Sequence, residues 1–529
     1  MMKKSVVFVG FTEYDNLGIG YMSSLLLNAG FTIRVIDLRK SPSEILKIIK
    51  NLDPLIIGFS VIFRNHLQKI IDLITYLRRE SGTDCHFTAG GHYASLKHQE
   101  LFQAIPLLDS IVRFEGEYTM LELADCLETG SDWKNIMGIA YKSGNKIISN
   151  ECRPLEKDLD KFPFPHRLPL KKYAFEVPFA TMIAGRGCFY DCSFCNTRKF
   201  YSEASGPVKR IRKPEMVVKE MEMLYHQRKC PIFIFLDDDF PVKYAMEPEW
   251  IEKFGHELEK KNLSRDVMWK ICCRADEVDE EKFALMKEHG LSMVFLGIED
   301  GTDEGLANIN KHLTIEDTFK SINILKKLNL AIDFGFMPFH PSSTYKSLNE
   351  NMDFLRQLFG DGYSPVTFVK MMPLYETRIE AELQKEGRLK INSGIPDYEF
   401  HEQSLNSCYN FISECFTEWL QMDEGLENIS SWARNDFYVF YRFIGSFDDV
   451  RKLNCNLTAI ISESNLFMLD TIKELLHIFE SGSFKTDGGT LLNSYRNTIK
   501  LKHSFFRKSI INNRELLHDL ALEHIFDLA

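Results

Sequence analysis

The 529-residue sequence lacks any uninterrupted apolar stretch long enough to cross a bilayer, which excludes a membrane-spanning helix. It also lacks surplus positive charge. With 64 Lys and Arg against 75 Asp and Glu, the formal net charge is −11. Nucleic-acid affinity comes largely from clustered Lys and Arg, so no nucleic-acid partner is expected. The one basic run, Lys209–Arg210–Ile211–Arg212–Lys213, reads as a solvated loop and helix start. The apolar run near the N-terminus is only strand-length, and no small-residue cleavage site follows it. No targeting segment is expected, and the expected location is the cytoplasm. There is no internal repeat and no low-complexity tract. The twelve cysteines need no disulfide framework in a chain of this size, so most read as buried thiols. Cys408, Cys415 and Cys455 are too widely spaced to suggest a second cluster.

What is present is alternation. Residues 6–11, 32–37, 55–60, 85–90 and 110–114 are short and rich in β-branched or aromatic side chains, with helix-length segments between them. Apolar strands separated by helices predict a parallel sheet covered on both faces, and right-handed crossovers make it a doubly wound, Rossmann-like domain over residues 1–150. A hairpin is predicted around Ser143–Gly144–Asn145. Residues 151–178 read as a linker; the stretch Leu155 to Leu170 holds three prolines and many charges. A second series begins at 179, with strands at 180–185, 232–237, 268–275, 292–299, 331–339 and 365–374. Six βα repeats predict a partial (β/α)6 barrel, TIM-like, over residues 179–388, with ligands at the C-terminal ends of its strands. From about Glu386 the pattern turns to amphipathic helices, so residues 389–529 are expected to form a helical domain.

The loop after the first barrel strand reads Gly185-Arg186-Gly187-Cys188-Phe189-Tyr190-Asp191-Cys192-Ser193-Phe194-Cys195. Three thiolates in a C-x3-C-x2-C loop reach three corners of an iron–sulfur cube. No fourth cysteine lies nearby, which leaves one iron open to an external ligand. A structural zinc site would want four protein ligands, usually as two pairs, and no second pair follows. Gly185 and Gly187 allow a tight exit from the strand. Phe194 is placed to pack on a flat ligand.

This loop resembles the signature of the radical S-adenosylmethionine superfamily, a resemblance that extends over Ala180 to Arg388. It implies a [4Fe–4S] cluster on Cys188, Cys192 and Cys195, with S-adenosylmethionine at the open iron and Phe194 beside it. Asp237 and Asp238, at the end of the second barrel strand, stand where the family often faces the methionine end of the cofactor. Arg274 is placed to take the cofactor carboxylate in a two-nitrogen fork. Glu299 stands where relatives contact the ribose or amino-acid part. Tyr375–Glu376–Thr377 occupies the place where many relatives have Gly-Thr.

In the first domain, Ser60-Val61-Ile62 follows the third strand and Gly90–Gly91–His92 the fourth. Both lie at carboxyl ends of strands, where open α/β sheets bind ligands. This resembles the cobalamin-binding domain that precedes the barrel in many radical enzymes. The resemblance implies a cobalamin site along Asn16, Gly18, Ser60, Val61, Gly90, Gly91, His92 and Glu115. The Asp-x-His-x-x-Gly loop that gives cobalt a histidine in other cobalamin proteins is missing.

The resemblance implies a C-methyltransferase. A 5′-deoxyadenosyl radical would take hydrogen from an unactivated carbon of a biosynthetic intermediate, and methylcobalamin would donate the methyl group. The implied partners are a small-molecule or peptide substrate and an external one-electron reductant of the flavodoxin or ferredoxin type. The rival expectations are a cobalamin-assisted rearrangement or cyclisation, a radical enzyme with a degenerate cobalamin domain, a transfer-RNA-modifying radical enzyme, and a non-catalytic cobalamin or redox sensor. The acidic balance argues against the transfer-RNA reading.

Overall fold

The computed structural model describes residues 3–528 except 14, 244–248, 393, 421–423 and 484–488. The N-terminal sheet is built from β1 (Ser5–Gly10), β2 (Thr32–Asp37), β3 (Ile56–Ser60), β4 (His86–Gly90), β5 (Ser110–Val112), β6 (Ile139–Ser143) and β7 (Lys146–Ser149). Their order is β2-β1-β3-β4-β5-β6-β7. The first five strands are parallel, and β6 and β7 form the antiparallel edge hairpin. The chain leaves β1 toward one side and β3 toward the other, so a crevice opens at the strand ends between them. Strands buried on both faces need apolar residues throughout, and β1 is buried along its whole length.

The second sheet contains β8 (Lys171–Lys172) and β9 (Pro178–Met182), followed in the chain by a two-residue ribbon, β10 (Gly185–Arg186) with β11 (Arg210–Ile211). It continues with β12 (Ile232–Phe235), β13 (Met268–Arg274), β14 (Leu291–Glu299) and β15 (Ala331–Phe336). Strands β9, β12, β13, β14 and β15 are parallel neighbours in that order, with β8 antiparallel at the edge. The sixth predicted strand is an extended run without a full ladder. It joins the end of β15 through one parallel bridge, Phe339 to Lys370, and through Val369 N–H to Phe336 O at 2.9 Å. The result is a half-barrel whose C-terminal strand ends face the crevice of the first sheet.

The C-terminal region departs from the expected all-helical pattern at its start. A hairpin, β16 (Leu389–Asn392) with β17 (Ile395–Tyr398), precedes the first helix, Gln403–Cys415. The helix Leu426–Phe443 then packs Val439 against Ile232, Met268, Met293 and Ala331 at the starts of the barrel strands, closing the barrel's lower end. Helices Asp448–Ser481 and Thr490–Leu528 complete the bundle. Among the described residues no helix is long and apolar enough to cross a membrane.

Candidate functional site at the domain junction

The cysteine loop is shaped by what surrounds its glycines. Gly187 has φ +84°, and a Cβ there would lie 1.9 Å from the Val208 carbonyl oxygen. A Cβ on Gly185 would stand 2.7 Å from the Arg210 oxygen. Only glycine lets the chain pass this close to β11. The loop is pinned further on. Ser193 N–H donates to Ile309 O, Ile379 N–H donates to Ser193 O, and Cys195 N–H closes a turn onto Cys192 O. Cys188 and Cys192 are half-buried and Cys195 is exposed. Burial pushes the Cys188 thiol up to about 12, and burial likewise raises Cys192. Without a bound cation these two thiols stay protonated at neutral pH, so the loop is suited to metal and not to free thiolate chemistry. Among the described residues no three ligating side chains converge on a single metal ion. Three thiols on one loop are a donor set that fits a [4Fe–4S] cluster with one open iron.

Two of the expected cofactor contacts turn inward. The Asp237 carboxylate accepts Ala184 N–H at 3.1 and 3.0 Å and Gly185 N–H at 2.6 Å, and it is buried. It holds the strand exit in place and presents no free oxygen edge to a ligand; burial raises its pKa to about 7. Arg274 is also committed. Its Nε donates to Asp276, and its Nη2 donates to the Lys311 and His312 carbonyls at 2.7 and 3.1 Å. Its guanidinium lies 3.6 Å from the Tyr190 ring centre. A two-nitrogen fork is therefore not open, and only the buried Nη1 lacks a protein hydrogen-bond partner.

The other expected residues remain near the mouth. Asp238 is exposed and accepts Gly187 N–H at 2.9 Å. Glu299, at φ +71°, accepts Lys311 Nζ at 2.8 Å. A Cβ on Gly297 would come within 2.7 Å of both partners, so this glycine makes room for the pair. Lys311 also stands 5.9 Å from the Phe194 ring centre. Lys311 and Arg274 both favour the charged form of Cys192 and so place positive charge beside the loop.

A cavity of about 700 Å³ lies between the crevice of the first sheet and the barrel mouth. Asn16, Gly18, Ser60, Gly90, Gly91, His92 and Glu115 line it from the N-terminal side, and Arg186, Leu236 and Asp238 from the barrel. Val61, expected there, is instead fully buried in the core behind the wall. The glycine pair also serves the local backbone. Gly91 has φ +107°, and its Cβ would meet the Val61 oxygen at 2.9 Å; Gly90 would crowd the Val112 oxygen at 3.3 Å. The backbone requires glycine at 91 before any ligand arrives, and Gly90 eases a tight approach. Asn16 caps the first helix by accepting Ile19 N–H, and Glu115 is held by Arg186 and Arg210. His92 sits edge-on to Phe200 at 4.0 Å, with its buried Nε2 lacking a partner. That orphaned nitrogen, the apolar wall and the cavity's size fit a large ligand such as cobalamin.

Sequence reasoning missed Arg186, Phe63 and His66. Phe63 and His66 line the cavity from the loop after β3. Arg186 lies inside the cysteine motif and crosses to Glu115 and Glu117 at 3.0 and 2.6 Å. Its charge, opposite the glutamates of the fifth-strand loop, was the available signal.

Comparison with known proteins agrees with this geometry. A family model for the B12 binding domain matches residues 4–124, and one for the radical SAM superfamily matches residues 182–355. An uncharacterized methyltransferase of Pyrococcus horikoshii is 28% identical over 367 residues, which span 68% of this chain and 76% of that one. The anaerobic magnesium-protoporphyrin IX monomethyl ester cyclase of Rubrivivax gelatinosus is 28% identical over 353 residues, spanning 64% of this chain and 61% of that one. Among solved structures, the cobalamin-dependent S-adenosylmethionine radical enzyme OxsB with aqua-cobalamin bound superposes with a TM-score of 0.69 at 16% identity. That superposition covers 99% of this chain and 84% of OxsB. With both domain models matched in this order on one chain, the protein belongs to the cobalamin-dependent radical S-adenosylmethionine enzymes, whose cofactors are a [4Fe–4S] cluster, S-adenosylmethionine and cobalamin.

Proposed function

We propose that the protein is a C-methyltransferase acting on an unactivated carbon of a small-molecule or peptide substrate. The observation that carries this reading is the single cavity walled by the nucleotide-type crevice on one side and by the cysteine-loop strand exit on the other. With the cluster and S-adenosylmethionine at the cysteine loop and cobalamin in the cavity, the first two would supply one-electron cleavage to a carbon-centred radical and the third a transferable methyl group. The chain's own residues supply position and seclusion. Cys188, Cys192 and Cys195 hold the cluster. Arg274 Nη1 and Lys311 offer charge-assisted donors to the cofactor carboxylate, and Glu299 offers an acceptor oxygen. Ser60, the Gly90–Gly91 turn and His92 hold the cobalamin, and Phe63 and Leu236 keep water from the space between. An external one-electron carrier of the flavodoxin or ferredoxin type, and a cytoplasmic setting, complete the reading. The name of the Pyrococcus relative supports methyl transfer; the name of the cyclase defines the rival outcome.

The test uses anaerobically reconstituted protein, a chemical reductant, S-adenosylmethionine deuterated in its methyl group, and a metabolite extract of the source organism. A metabolite that gains the labelled methyl, formed together with 5′-deoxyadenosine and S-adenosylhomocysteine, supports the reading. A product that forms with 5′-deoxyadenosine but carries no new methyl would replace it with cyclisation or rearrangement.

A further inference from the structure

Tyr375 lies in the barrel's last loop, yet its side chain belongs to the other domain. It is 6% exposed and sits in the hydrophobic cluster of the N-terminal sheet, beside Tyr93. Among the described residues it is the one member of that cluster from beyond residue 150. Its ring meets Tyr93 edge-on at 5.2 Å, and its hydroxyl donates to the Ile62 carbonyl at 2.7 Å. Ile62 is part of the cavity wall.

The backbone of the same residue faces the cysteine loop. Tyr375 O accepts Asn196 Nδ2 at 3.3 Å, and Asn196 directly follows Cys195. The residues after it repeat the pattern. Lys97 of the first domain pairs with Glu376 at 2.8 Å and approaches Glu380 at 3.9 Å. On the other side, Ile379 N–H donates to Ser193 O at 3.2 Å and Arg378 pairs with Asp191 at 3.1 Å. Thr377 starts the helix Arg378–Lys385 by accepting Glu380 N–H, which stiffens the segment. Glu376 at φ +60° sharpens the turn that sends Tyr375 one way and the helix the other.

We propose that Tyr375 is a positioning residue that sets the separation between the cobalamin cavity and the cysteine loop. This rests on the reading that the chain holds both cofactors. A buried ring fixed by a hydrogen bond on one side and by its own carbonyl on the other has little freedom to slide. Movement of the Ser60–Ile62 wall is thereby tied to movement of Cys195. A small residue at this place would leave this loop tied to the first domain by the part-exposed pairs of Lys97, which hold geometry weakly.

The experiment compares holoenzyme of wild type, Tyr375→Phe and Tyr375→Ala, each loaded with cluster and cobalamin and given S-adenosylmethionine and a chemical reductant, in the absence of substrate. Three quantities are read on each sample. They are iron and cobalamin content, the relaxation of the cob(II)alamin electron paramagnetic resonance signal by the reduced cluster, and the ratio of S-adenosylhomocysteine to 5′-deoxyadenosine. The first product requires the methyl donor to reach cobalt; the second requires only the cluster side. Tyr375→Phe keeps the ring and loses one buried hydrogen bond, so its ratio should fall by about two- to tenfold, the range such a bond spans. Tyr375→Ala should fall further, and cob(II)alamin relaxation should change in both variants. A merely structural role would lower cofactor content and both products together, leaving the ratio and relaxation per loaded enzyme unchanged, and that result would overturn the proposal. If Tyr375→Ala does not fold, Tyr375→Phe decides by the same criteria. Wild type that retains no cobalamin would instead overturn the cofactor reading, and this inference with it.

Discussion

The cavity wall of the first domain and the cysteine-loop region of the barrel handle charge differently. On the N-terminal side the wall is largely apolar, and three of its carboxylates are matched by arginines from the linker and barrel. Asp15 meets Arg167, Glu115 meets Arg186 and Arg210, and Glu117 meets Arg186. By the cysteine loop of the barrel, Arg274 and Lys311 are paired with Asp276 and Glu299 yet stand beside Cys192, and one donor, Arg274 Nη1, is unspent. The difference teaches what each side is built to hold. A neutralised wall selects a large ligand by shape, whereas an unspent guanidinium donor favours an anionic group. The matched pairs are buried, so they add little net stability; their use is to fix how the two domains face each other.

The largest effect that can sharpen this comparison is removal of the thiols. The Cys188→Ala, Cys192→Ala, Cys195→Ala triple variant should lose the cluster absorbance entirely and bind none of the about four irons of the wild type. Cobalamin retained after gel filtration should be unchanged. Joint loss of both cofactors would mean the two sides are not separable.

Glycine substitutions come next. Gly187→Ala places a Cβ 1.9 Å from a carbonyl oxygen at φ +84° and should cost about 3 kcal/mol or more, with loss of cluster. Gly91→Ala meets its carbonyl at 2.9 Å at φ +107° and should cost about 1–3 kcal/mol, with loss of cobalamin. Thermal unfolding and cofactor content of both variants check the pairing of site with loss; crossed losses would break it.

Arg274→Ala should weaken S-adenosylmethionine binding by about 1.5–3 kcal/mol, the size of a lost charge-assisted hydrogen bond, measured by titration calorimetry. Cobalamin content should not change. Wild-type affinity would remove Arg274 from the site.

The smallest effect is in pH. His86, in the first domain, is lowered to about 4 by burial, so its neutral form favours the fold. Its stabilisation is present above the ordinary histidine range and is lost as pH falls toward 4. Asp237, beside the cysteine loop, is raised to about 7 by burial. Its contribution is complete below the ordinary aspartate range and is lost as pH rises through 7. Between pH 4 and 7 the two regions of the apoprotein should therefore move in opposite directions in hydrogen exchange. Asp237→Asn should flatten the trend on the barrel side alone.

Much of this architecture was legible in the sequence because its signals are local. The strands are short, apolar and separated by helices, and the three cysteines share one loop. The sixth barrel strand was over-read, because apolar alternation at 365–374 does not reveal that only one bridge forms. The hairpin before Gln403 was missed because its exposed faces carry no strong pattern. Site residues were harder for a physical reason. Arg274 and Asp237 have the right chemistry at the right strand ends, but their partners come from residues 276, 311, 312, 184 and 185. Val61 was placed in the cavity by its neighbour Ser60, although alternate residues at a strand end point to opposite faces. Tyr375 was visible only as a departure from Gly-Thr, because its partner Ile62 is 313 residues away.

The central claim is that one chain brings cobalamin within reach of S-adenosylmethionine across the domain junction. Its most direct test is to reduce the loaded wild-type enzyme with S-adenosylmethionine carrying a deuterated methyl group, without substrate, and to analyse the corrinoid by mass spectrometry. The account predicts methylcobalamin bearing the labelled methyl, with an equal amount of S-adenosylhomocysteine. A full cluster that releases 5′-deoxyadenosine while bound cobalamin stays unlabelled would contradict it.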